Sequence, residues 1–300
     1  MGRLGGWAGF GGKGNRSIAP LCLRAGRYRR FSDRGTAGTL QSETDCHHKV
    51  RMTEDFPISR FARSDGTGLA YRFLPGTEPL QVFLPGYMSD MEGGKAQAVF
   101  AHARDNGKAC LLLDYSGCGS SEGRFEDGTL TLWRDDVLAL VDHVWPEGGI
   151  LPIGSSMGGW IALLVGLARA DRVAGVIGVA AAPDFTAWGF TEEQKQRLCT
   201  EGRIVEPSDY GDPYVTTLAF WESGQANQLL GGEIALDCPV RFLHGQADEV
   251  VPWQIVLRAG ACLRSAAIQT VLIKDGDHRL SRESDIALLL GLIDGLTEGA

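Results

Sequence analysis

Three hundred residues, 44% of them apolar and 22% charged, have the composition of an ordinary globule with enough chain to bury a sizeable core. A net charge of −8 argues against nucleic acid or an anionic membrane surface as the main partner. No apolar run reaches the length of a membrane span. The seven cysteines are scattered, with no C-x-x-C pair and no Cys/His cluster at zinc spacing, so they read as reduced thiols in a cytoplasmic compartment and imply no metal or cofactor.

Residues 1–54 differ from the rest. The first 32 hold seven Lys or Arg and no acid, and little periodicity is present. This segment is expected to be disordered or targeting-like and to lie outside the fold. An acid-poor, Arg-rich start is also the composition of an organelle transit peptide, which makes mitochondrial the alternative to cytoplasmic. Met52 is an alternative start.

From residue 55 to 300 the pattern becomes regular. Phe56–Phe61 and Leu69–Phe73 flank Asp65-Gly66-Thr67-Gly68, a hairpin signal. Leu80–Leu84 reads as a strand ending at Pro85-Gly86, Lys95–Asn106 as a helix stopped by Gly107, and Ala109–Leu113 as a buried strand. Leu130–Val144 has helical spacing. Ile150–Ile153 is a strand, Trp160–Ala170 a helix and Val173–Ala181 a strand. Val240–Leu243 and Ile268–Ile273 are strands, followed by helices near 253–265 and 283–296. Strands alternating with helices predict an α/β fold: a mostly parallel sheet of about eight strands, helices on both faces, opened by an antiparallel hairpin. Pro152 conflicts with a central strand, because it removes a ladder donor; a short strand or a bulge must accommodate it.

Residues 183–237 interrupt this rhythm and read as a short helical cap. Thr191–Leu198 carries an N-cap and early acids, and a second helix is expected near 215–230 after a Gly/Pro/Asp-rich stretch. The cap is rich in aromatic residues, Tyr210 among them. Trp188, Phe190, Phe220 and Trp221, with Tyr87 outside the cap, are candidates to line a substrate pocket.

Between strand and helix lies Gly154-Ser155-Ser156-Met157-Gly158, a G-x-S-x-G pentapeptide. That pattern sets a serine on a strained turn with its hydroxyl exposed, at the N-terminus of a helix that favours developing negative charge. A serine hydroxyl needs a base, and the base needs an anion to orient it. In this architecture the chain order is Ser, acid, His. His278, after the last strand, is the expected base; His244, at the end of a strand, is expected to pack its loop. Two acids follow strands, Asp248 and Asp184, and Asp248 is favoured. Asp114 is expected to anchor the Asp114–Ser121 turn. Oxyanion donors are expected from the amides of Met157 and Tyr87.

With these residues in hand the chain resembles the α/β-hydrolases over roughly 56–298. Asp114–Ser121, Gly154–Trp160 and Asp248–Trp253 are similar to a narrower group, the acyl-protein thioesterases also described as acyl-glucuronide esterases. The resemblance implies hydrolysis of S-acyl cysteine thioesters or acyl esters, with Ser156, Asp248 and His278 as triad. Partners would be a small acyl ester or thioester, or an S-acylated protein. A peptidase or carbon–carbon bond hydrolase on the same triad, and a silent ligand-binding relative, are the alternatives. Epoxide hydrolase and dehalogenase chemistry are disfavoured, since both need Asp at the elbow.

Overall fold

The structure, a computed structural model, describes residues 56–207 and 213–297. The segment 1–54 and Tyr210 lie outside the described residues.

Eight strands form one sheet: β1 (Ser59–Ala62), β2 (Gly68–Leu74), β3 (Thr77–Leu84), β4 (Lys108–Leu113), β5 (Ile150–Ser155), β6 (Val176–Val179), β9 (Val240–Gly245) and β10 (Ile268–Ile273). Their order is β1-β2-β4-β3-β5-β6-β9-β10. The hairpin strand β2 runs antiparallel to both β1 and β4, and every other pairing is parallel. The expected α/β architecture is therefore the observed one.

The pleat explains the layers. Along β4, Ala109, Leu111 and Leu113 point to one face, and Cys110 and Leu112 to the other, all buried. The first face is covered by α2 (Leu130–Val144), α3 (Met157–Ala168) and α7 (Gln254–Cys262), and the second by α1 (Gly94–Asp105) and α8 (Glu283–Thr297). Because β5 is covered on both sides, its run is continuously apolar rather than alternating. Helix α3 is buried along almost its whole length, from Met157 to Gly166, which fits a sequence with no charged residue before Arg169.

Pro152 is buried within β5, in register with Val82 of β3. On the β6 side the pairing jumps from a bridge between Ile150 and Val173 to Ile153 opposite Ile177. The partner chain thus carries one extra residue there, and the missing proline N–H falls where that ladder is interrupted.

The cap departs from expectation. Its first part holds α4 (Phe185–Trp188) and α5 (Glu192–Glu201), the latter closed by a capping box between Thr191 and Gln194. A two-stranded antiparallel hairpin follows, β7 (Arg203–Glu206) and β8 (Tyr214–Thr217), where a helix had been expected from 215. The β-branched run Val215-Thr216-Thr217 favours extended backbone. Thr217 then caps α6 (Leu218–Ala226) by accepting from the Phe220 amide at 3.2 Å. The expected Val173–Ala181 strand is also shorter, since residues 180–182 already turn toward the site: the Ala182 amide donates to the Ser156 carbonyl at 3.1 Å.

Candidate active site

Ser156 stands between β5 and α3 with φ 55° and ψ −119°. A non-glycine residue there costs of order 1–3 kcal/mol, which the surroundings must supply. The neighbouring glycines show why the turn closes. A side chain at Gly154 would overlap the Gly158 carbonyl, one at Gly158 would overlap the Leu84 carbonyl, and one at Gly159 would collide with Ala181. Strand, helix and the β3 exit loop therefore touch backbone to backbone. The Ser156 amide is tied to the Val179 carbonyl of β6 at 2.9 Å.

Two loops bring the partners. Asp248 lies three residues beyond β9 and His278 five beyond β10, and both strands end on the same sheet edge as β5. His278 Nε2 is 3.1 Å from Ser156 Oγ, and His278 Nδ1 is 2.8 Å from Asp248 Oδ2. The carboxylate fixes the tautomer: Nδ1–H donates to Asp248, so Nε2 accepts from the serine hydroxyl. The other Asp248 oxygen accepts from the amides of Val250 and Val251, each at 2.8 Å. The side chain of Asp248 is fully shielded from solvent. Burial by itself pushes its carboxyl up. Hydrogen bonds from His244, His278 and the Val251 amide, with the charge of His278, outweigh that and hold it well below the usual carboxylate range.

The other acids that the sequence brought forward do other work. Asp184 is buried and accepts from the amides of Leu229 and Leu230, at 2.8 and 2.7 Å, which fastens the chain after α6. Asp114 accepts from the amides of Met91 and Ser120, both at 2.8 Å, and so anchors its turn. Burial raises the carboxyl of each. Cys118 is buried in that turn, its thiol pushed up to about 12 by burial and the neighbouring aspartates.

A cavity of about 670 Å³ opens in front of Ser156 and His278. Gly86, Tyr87 and Met157 line it beside the serine, and a side chain added at Gly86 would meet the Ser155 carbonyl at 3.3 Å and Ser156 Cβ at 3.5 Å. Met157 is the first residue of α3, so its amide has no partner within the helix. Trp188 and Phe190 line the cavity as well. Phe220 and Trp221 do not. Phe220 is buried among Tyr87, Trp133 and Phe185, with centroids 5.0, 5.5 and 5.8 Å away, because α6 turns it toward the body. Trp221 donates its indole N–H to the Thr186 carbonyl at 2.9 Å, which joins α6 to α4. The sequence did not single out Lys95, Glu206 and Arg279, which also border the cavity. They belong to elements remote in sequence, so only the fold brings them together.

Comparison with known proteins agrees with this architecture. A family model described as serine aminopeptidase, S33, matches residues 80–198. The chain is 37% identical over 246 residues to the human palmitoyl-protein thioesterase ABHD10, mitochondrial, with 80% of each chain covered. The solved structure of mouse α/β hydrolase domain-containing protein 10 superposes with a TM-score of 0.75 at 38% identity, covering 80% of this chain and 98% of that one. A bacterial protein from Agrobacterium vitis S4 superposes with a TM-score of 0.74 at 35% identity, covering 80% and 99%.

The sheet order, the elbow and these likenesses define the class: the chain is an α/β-hydrolase. Within that class it belongs to the family of the palmitoyl-protein thioesterase ABHD10.

Proposed function

We propose that this chain is a serine hydrolase of carboxylic esters and thioesters acting through Ser156, His278 and Asp248. The observation that carries the reading is the unbroken hydrogen-bond path from Asp248 through His278 to a serine with positive φ. In this mechanism Ser156 Oγ attacks the acyl carbon while its proton passes to His278 Nε2. Asp248, held ionised, stabilises the imidazolium that forms. The oxygen of the tetrahedral intermediate is taken by the amides of Met157 and Tyr87, donors worth about 10²–10³ in rate each. The imidazolium then protonates the departing thiolate or alkoxide. Water, deprotonated by His278, resolves the acyl-enzyme by the same steps in reverse.

The cavity accommodates an acyl group of moderate size against Trp188 and Phe190. Relatives named palmitoyl-protein thioesterase support S-acyl cysteine in a peptide or protein as the substrate class. The word mitochondrial in those names favours that compartment over the cytoplasmic one. Among the described residues no helix is long and apolar enough to cross a membrane.

The test is a substrate panel on purified protein: acyl thioesters of graded chain length, p-nitrophenyl esters, acyl glucuronides and aminoacyl amides. The reading expects kcat/KM for the thioesters and esters to exceed that for the amides by orders of magnitude. Preferential turnover of aminoacyl amides would move the activity to the peptidase reading that the S33 description favours.

A further inference from the structure

His244, at the end of β9, is wholly buried, yet its ring touches the proposed catalytic acid. Its Nε2 is 3.0 Å from the Val251 carbonyl and 3.2 Å from Asp248 Oδ2. Both neighbours are acceptors only, so Nε2 carries the proton: it donates to the Val251 carbonyl and stands in close polar contact with the carboxylate. Its Nδ1 is buried with no hydrogen-bond partner. A proton on Nδ1 would be an unsatisfied buried N–H on a charged ring, whereas a bare lone pair costs less. The ring is therefore neutral, with one donor aimed at the acid.

The oxygen contacted is the one that receives His278 Nδ1–H. Asp248 is thus clamped at four points: two amides on Oδ1, two imidazole N–H groups on Oδ2. Among the described residues, the imidazoles that reach the carboxylate are those of His244, from β9, and His278, from the loop after β10. We propose that His244 is a positioning residue for the proposed triad: as a neutral Nε2–H donor it fixes Asp248 Oδ2 in the plane of the His278 ring and shares its negative charge. Packing alone would not select this residue. A leucine would fill the site without leaving a lone pair stranded, and the stranded Nδ1 is explained when Nε2 is the atom required.

This role rests on the triad reading, which Ser156→Ala checks separately through loss of turnover. The experiment compares His244→Leu, which keeps the bulk and removes the donor, with His244→Gln, whose amide nitrogen reaches the place of Nε2. His244→Leu is expected to lower kcat by about ten- to a hundredfold with KM little changed. It also leaves the Asp248 charge to His278 alone, which favours the protonated ring, so the acid limb of the kcat/KM profile moves to higher pH. His244→Gln recovers part of the kcat and returns the acid limb toward that of the unmodified protein. A folded His244→Leu with unchanged kcat and acid limb overturns the role, as do equal losses in Leu and Gln. If His244→Leu does not fold, the comparison runs between His244→Gln and His244→Asn, whose shorter amide stops at the place of Nδ1. Equal kcat and equal acid limbs in that pair contradict the proposal.

Discussion

The hydroxyl of Tyr87 donates to the carbonyl of Val215, 128 residues further along the chain. Tyr87 belongs to the loop after β3 that borders the elbow, and Val215 to the cap strand β8, so one side chain joins the cap to that loop. The ring is packed against Phe125, Trp133, Phe185 and Phe220, and burial pushes the phenol far above its ordinary range. It stays protonated and donates at any working pH.

Tyr87→Phe keeps the ring packing and strands the Val215 carbonyl. The expected cost is about 1 kcal/mol, or a fall in Tm of about 2–4 °C. Because the same residue's amide is the proposed oxyanion donor, kcat/KM should fall several-fold as well. Thermal denaturation paired with steady-state rates checks both; an unchanged kcat/KM would separate the cap from the chemistry.

The elbow predicts a contrast between two glycine replacements. Gly154→Ala sets a methyl against the Gly158 backbone, which has no room to yield, and should destabilise by about 3 kcal/mol or more. Gly291→Ala, inside α8 with open space around it, should stabilise by about 0.5–1 kcal/mol through backbone entropy and helix propensity. Urea denaturation of the two variants measures both signs.

Asp248 makes a pH-dependent prediction. Its carboxyl lies below the unfolded value of about 4, so it contributes stability that is present above that pH and lost as pH falls toward its folded value. Asp248→Asn should therefore be less stable than the unmodified protein at pH 7, with the gap closing below about pH 4. Its turnover should fall by about 10³–10⁴. Asp184→Asn should leave the chemistry in place and loosen the chain after α6. Denaturation at pH 7 and pH 3, with ester hydrolysis at pH 7, checks these outcomes.

Much of this arrangement is legible in the sequence, and the reasons are local. G-x-S-x-G is readable because no residue but glycine fits where backbone meets backbone at 154 and 158. Asp248 and His278 are readable because strand ends punctuate the chain just before them. Pro152 conflicts with a central strand, and the skipped pairing beside it is the compensation. The cap was less readable. Strands of four residues such as β7 and β8 carry too little periodicity to separate from a helix start. Phe220 and Trp221 are pocket candidates on aromatic character alone, which does not say which way α6 faces. His244 carries a signal in its spacing, four residues before Asp248, but only the loop geometry turns that spacing into a contact with the carboxylate.

The central claim is that Ser156 is a nucleophile activated by His278. A fluorophosphonate probe with intact-mass readout tests it most directly. The account predicts one equivalent of adduct per folded chain, mapped to Ser156, absent in Ser156→Ala and much slower in His278→Ala. Failure of the folded protein to react, or an adduct that persists in Ser156→Ala, would contradict it.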